Sequence, residues 1–178
     1  MIKREVVIED VLPEVACNLM CILKKGKDDV YEEQITDHYR CRYTIDFAER
    51  TIVIDLFLSE RDKDSVLAAK VRMDKCNVET AAEAACLTLK IIDYANNIYS
   101  YVTKIDRFLK KKKGSYIYRF WDDVISLNKA GNIVHVKIRN DDETREVAEF
   151  DCIIEDGTDI EITTASVAAA IYSHIFSL

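Results

Sequence analysis

The chain has one proline and four glycines in 178 residues. So few breakers exclude collagen-like and low-complexity classes. The glycines stand apart at Gly26, Gly114, Gly131 and Gly157. They build no glycine-rich phosphate loop, which argues against nucleotide-dependent enzymes of the common folds. No run of about 18 uncharged apolar residues occurs, so no spanning helix is read. The apolar N-terminal stretch is broken by Glu9, Asp10 and Glu14, and no signal peptide or lipidation motif is read. The histidines are His38, His135 and His174, in no His-x-x-x-His or His-Glu-x-x-His arrangement. No Gly-x-Ser-x-Gly elbow and no Cys-x-x-Cys pair is present. The expectation is therefore no catalytic residue, no metal site and no cofactor.

What is present describes a globular domain with its own core: 49% of residues are hydrophobic and 32% charged. The net charge of −7 speaks against generic nucleic-acid binding, which needs a dominant basic field. The charge is segregated. Six cations against Asp106 lie between Lys104 and Lys113. Ten acids against Arg145 lie between Asp141 and Glu161. Such asymmetry concerns partners rather than fold. The six cysteines, in a chain this large with no signal, read as reduced thiols in the cytoplasm, or in a host cytoplasm if the chain is virus-encoded. Cys17 and Cys21, four apart on a helix with no further ligand beside them, read as small buried apolar side chains.

Periodicity supplies the elements. Ile2 to Ile8 reads as a strand or a lead-in. A helix starts at Asp10 with Pro13 in its first turn and an apolar face of Val11, Val15, Leu19 and Leu23. Tyr39, Cys41, Tyr43, Ile45 and Phe47 alternate with polar residues, and Thr51 to Ser59 returns as the second arm of a hairpin. Ser65 to Met73 reads as a third strand. A helix follows from Asn77 to Lys113, ended by four lysines and Gly114, with Asn96-Asn97 as its weak point. Unbroken, about 34 residues span roughly 51 Å, against a diameter of roughly 40 Å for a globule of this length. Strands are read at Tyr116 to Trp121, continuing or pairing at Asp123 to Leu127 after a bulge, then at Ile133 to Arg139 and Arg145 to Ile154. Asp159 to Ile162 extends the sheet, and Thr163 or Thr164 caps a last helix whose apolar end is buried or docked. Asp122-Asp123 reads as a solvated strand-end pair, and Asp156 to Glu161 as a hairpin turn.

The resulting fold class is α+β, with mostly antiparallel sheet of about six strands in the order α-βββ-α(long)-βββ-α. Residues 1–178 form one domain, with half-units 1–113 and 114–178. This order resembles that of class I type III secretion chaperones, and the resemblance implies a small, acidic, α+β protein that is often dimeric.

The site reading is a contact surface. Ile91, Ala95, Ile98, Val102, Ile105 and Leu109 follow a 4-3-4-3-4 heptad spacing, which either covers a sheet or pairs two chains. The candidate partner-binding residues are Ile91, Ile98, Val102, Ile105 and Leu109 with Lys110, Lys111, Lys112 and Lys113. The lysines suit a helix end, an acidic protein surface, or a nucleic acid stacked on Tyr116 and Tyr118. The function read is a non-enzymatic protein-binding module: an adaptor, chaperone-like protein or inhibitor, phage or viral accessory proteins included. Its partner is another protein, with a homodimer expected and no membrane. The alternatives are a subunit of a symmetric assembly, in which the basic segment meets the acidic one of the next copy, and a small enzyme with a motif-free site.

Overall fold

Eight strands and three helices make up the computed structural model, which describes residues 8–58, 64–140 and 146–176. The order is α1 (Ile8–Lys25), β1 (Asp29–Gln34), β2 (Tyr39–Asp46), β3 (Thr51–Leu58), β4 (Leu67–Arg72), α2 (Asn77–Leu109), β5 (Lys113–Phe120), β6 (Asp123–Ala130), β7 (Ile133–Asn140), β8 (Glu146–Ile153) and α3 (Ile160–Ile175). The α+β class holds, and both sheets are antiparallel meanders: β1-β2-β3-β4, here sheet A, and β5-β6-β7-β8, here sheet B. Among the described residues the expected six strands are eight. The chain divides into two compact units, residues 8–96 with Phe176, and residues 97–175. The start of α2 belongs to the first and its end to the second. No helix among the described residues is long and apolar enough to cross a membrane. The expected lead-in at Ile2 to Ile8 lies, but for Ile8, outside the described residues, as does Leu178.

In the first unit, α1 buries Val15, Leu19, Ile22 and Leu23. It begins at Ile8, so Pro13 sits inside the helix rather than in its first turn. The expected hairpin forms with Tyr39 opposite Leu58 and Asp46 opposite Thr51. Its period of two buries Cys41, Tyr43, Ile45, Ile52, Ile54 and Leu56. Tyr43 stacks on Tyr31 with ring centroids 5.6 Å apart. Its hydroxyl meets the Thr88 hydroxyl at 2.8 Å, and Thr88 donates to the Ala84 carbonyl. Burial pushes the Tyr43 phenol far up and the Cys41 thiol up to about 12. Phe176 is buried edge-on against Tyr94, and its carbonyl accepts from the Lys70 amide on β4.

In the second unit, sheet B buries one face. Phe120, Ile125, Leu127, Val134, Val136 and Ile138 are buried, as are Ile105, Phe108 and Leu109 of α2 and Val167 and Ile171 of α3. Aromatic rings line β5: Phe108 stacks on Tyr116, Tyr116 on Tyr118, and Tyr101 on Tyr118, with Phe120 edge-on to Tyr101.

Several local expectations are corrected here. β1 is a strand that carried no apolar alternation. α2 ends at Leu109, not Lys113, and Gly114 lies within β5. The Leu109 carbonyl takes the Lys129 ammonium as its partner, and the chain then turns into the ladder. Trp121 is a turn residue with φ of 54°, so β5 and β6 form a tight hairpin. Asp122 is exposed but Asp123 is buried. Residues 159–162 open α3 rather than extending the sheet. Asp159 is the cap: its Oδ1 accepts from the Glu161 amide at 2.8 Å and its carbonyl from the Thr163 amide. The turn at Gly157 therefore joins strand to helix and is not a hairpin.

Candidate functional site

The residues of the heptad seam have different fates. Ile91, Ile105 and Leu109 are buried, Ala95 and Val102 half-buried, and Ile98 is 40% exposed beside Tyr99 at 84%. Lys110 pairs with Asp106 at 2.6 Å. Lys111, Lys112 and Lys113 are exposed, follow the helix rather than ending it, and meet no carboxylate among the described residues. Tyr116 and Tyr118 stack within the unit's own aromatic row.

The outer face of sheet B is set by its register. Across the strands, Lys113 lies in one row with Ala130, Ile133 and Ile153. Ser115, Asn128, His135 and Asp151 form another row. His135 projects outward, as its alternation predicts. Its Nδ1 lies 2.6 Å from Asp151 and its Nε2 2.8 Å from Glu149. Carboxylates only accept, so both ring nitrogens must donate and the imidazolium is the form that fits. The hydrogen bond to Asp151, then that to Glu149, holds its pKa above the usual histidine value. Lys137 donates to the other Glu149 oxygen at 3.0 Å. His174, in contrast, stacks on Phe150 at 4.6 Å.

β8 is an edge strand of this sheet. The Ile154 amide donates to Asn132 at 2.7 Å, so the ladder's alternation turns the amides and carbonyls of Asp151 and Ile153 away from β7. Beside this edge a groove of about 160 Å³ is lined by Ile153, Ile162 and Val167 and, in equal part, by polar residues that include Glu155, Thr163 and Ser166. Its apolar lips stand out: Ile153 is 71% exposed and Ile162 64%. Burial and the neighbouring Asp151 raise the Cys152 thiol. Glu155, Asp156 and Glu161 follow at the same end, all exposed and without a cation among the described residues. The arrangement combines outward main-chain groups, a groove with two exposed isoleucines and an acidic rim. Sequence reading had the acidic run but not this edge. Only the strand order makes Ile153 and Ile162 neighbours of an unpaired ladder.

Sheet A carries a second charged arrangement. Glu32 on β1 accepts from Arg40 and from Arg42, each at 2.6 Å. Both guanidinium groups lie over Phe57, at 4.8 and 4.9 Å from its ring centre. The bond from Arg42, more than that from Arg40, lowers the Glu32 carboxyl.

Cys17 and Cys21 are exposed, contrary to the buried pair expected, because the apolar face of α1 is made by Val15, Leu19, Ile22 and Leu23 instead. All six cysteines are free thiols. Among the described residues no three His, Cys, Asp or Glu side chains are grouped to hold a metal ion. No protein-family model, curated protein or solved structure matches the chain, so the likeness to secretion chaperones gains no support.

Proposed function

We propose that the protein is a non-enzymatic protein-binding module, an adaptor or chaperone-like partner, that receives another protein along the outer edge of β8. The observation that carries this reading is the composition of that edge. Natural edge strands are usually blunted by lysine, proline or a cover. Here the outward groups of Asp151 and Ile153 meet no cover among the described residues, and a groove with two exposed isoleucines, Ile153 and Ile162, lies beside them. Glu155, Asp156 and Glu161, beyond the end of β8, are exposed and meet no cation among the described residues. They leave the edge open to a basic extended segment. The six free thiols suit a reducing compartment, and the reading places the protein in a cytoplasm.

A subunit of a symmetric assembly is the second form of the same reading. It is favoured by Lys111, Lys112 and Lys113, which meet no carboxylate among the described residues and lead into β5, the opposite edge of the same sheet.

The test is a pull-down at near-physiological salt with the wild-type chain and Ile153→Pro. Proline removes one outward amide and leaves the β7 ladder intact. A stoichiometric partner kept by the wild type and lost by Ile153→Pro is the expected result. A partner held equally by both, or none held by either, a second copy of the chain included, sinks the reading.

A further inference from the structure

We infer that the occupant of the β8 edge is β5 of a second copy of this chain, giving a head-to-tail sheet that runs from molecule to molecule. This rests on the protein-binding reading and names its partner. Three observations within the second unit lead to it.

The first is direction. β5 and β8 are the two edges of one antiparallel sheet. A second β5 laid antiparallel to β8 has the direction of the first copy's β5, so the next molecule simply continues the meander.

The second is register. The row Lys113, Ala130, Ile133, Ile153 places the start of β5 and the end of β8 at the same end of the sheet. Within one molecule they stand three strand spacings apart, roughly 14 Å. In the continued sheet they become neighbours.

The third is charge. Lys111, Lys112 and Lys113 find no carboxylate among the described residues of their own chain, and Glu155, Asp156 and Glu161 no cation. Continuation brings the unpaired lysines of one copy beside the unpaired acids of the next. The two-fold alternative, β8 against β8, leaves Lys111, Lys112 and Lys113 of both copies away from the acids that follow β8. The contact is heterologous, so it closes into a ring or grows as a filament according to the twist. One strand pairing buries little area, so the contact is weak and concentration-dependent.

The test uses two variants of the full chain. Ile153→Pro blocks the β8 edge. Lys111→Glu/Lys112→Glu/Lys113→Glu reverses the charge before β5. By sedimentation, the wild type exceeds twice the 20.5 kDa chain mass as concentration rises. Its association weakens about tenfold between ~0.05 M and ~1 M salt. Each variant alone stays at the chain mass. Mixed, they form one particle of twice the chain mass and nothing larger, because each retains the edge the other lacks. That complementation also proves both variants folded. A wild type that stays monomeric at low salt overturns the inference, as does a variant that associates like the wild type. So does a mixture that stays monomeric while both variants keep the wild-type circular dichroism. A peptide copying residues 110–120 separates the two readings. A monomeric wild type that binds this peptide, with the binding lost in Ile153→Pro, leaves the protein-binding module standing without self-assembly. A chain that neither associates nor binds the peptide removes self-association and leaves the module to the pull-down.

Discussion

The outer faces of the two sheets carry opposite charge arrangements. On sheet A one acid, Glu32, is held between two bases, Arg40 and Arg42. On sheet B one base, His135, is held between two acids, Asp151 and Glu149. The difference teaches which face is permanent and which is conditional. Guanidinium groups stay charged throughout the working range, and here they also lie over Phe57, so the sheet A cluster fails only in acid. An imidazole gives up its proton near neutrality, so the sheet B cluster fails in base. The conditional cluster stands next to the open edge, and the permanent one does not involve an edge proposed to bind.

The comparison breaks first through the cores below the clusters. Ile54→Ala under sheet A and Ile125→Ala under sheet B each remove a fully buried side chain. Each should cost about 2–5 kcal/mol in urea titration. A loss below about 1 kcal/mol at either site would show that its face is not anchored to a packed core. Next in size is Tyr43→Phe, which deletes the buried bond to Thr88 and should cost about 1 kcal/mol. An unchanged urea midpoint would contradict that bond.

A gain is expected from the turns. Gly131 takes a φ of 63° without strain in the β6–β7 hairpin, whereas Trp121 takes 54° in the β5–β6 hairpin. Trp121→Gly should relieve that strain and raise stability by about 1 kcal/mol. A loss would mean that the indole contributes more than its backbone costs.

The smallest effects sharpen the comparison through pH. The folded His135 pKa lies above its unfolded value, so its contribution is complete below about pH 6.5. It is lost as pH rises through the folded pKa. Glu32 has the reverse sign: its folded pKa is lowered, so its contribution is present above about pH 4.3 and is lost as pH falls through the folded value. The urea midpoint of wild type should therefore fall slightly more than that of His135→Gln on going from about pH 6 to about pH 9. Glu32→Gln should flatten the acid limb instead. Exchanged behaviour between the two variants would refute the assignment.

Much of the fold was legible because period and burial agree. Tyr39 to Phe47 alternates cleanly, and its inward residues Cys41, Tyr43 and Ile45 are buried. The face of α1 and the start of α2 were equally plain. β1 was not, because an edge strand reading Asp-Val-Tyr-Glu-Glu-Gln buries too little to alternate. The β5–β6 turn was hidden because tryptophan stands where glycine or asparagine would signal it. The end of α2 was misplaced because Lys110 to Lys113 look like a helix terminus, while the Leu109 carbonyl is satisfied from β6 by Lys129. The candidate site was legible only in its charges. That Lys113 and Ile153 share a row follows from three strand registers, which no local pattern encodes.

Pairing of the β8 edge with a second copy is read directly by amide hydrogen exchange at Asp151 and Ile153, the outward-facing amides of β8. It is read in dilute and in concentrated wild-type chain at low salt. Both amides are expected to exchange quickly when dilute and to become protected when concentrated, while the inward Cys152 amide is protected in both. Fast exchange of Asp151 and Ile153 at every concentration would contradict pairing of this edge with a second copy.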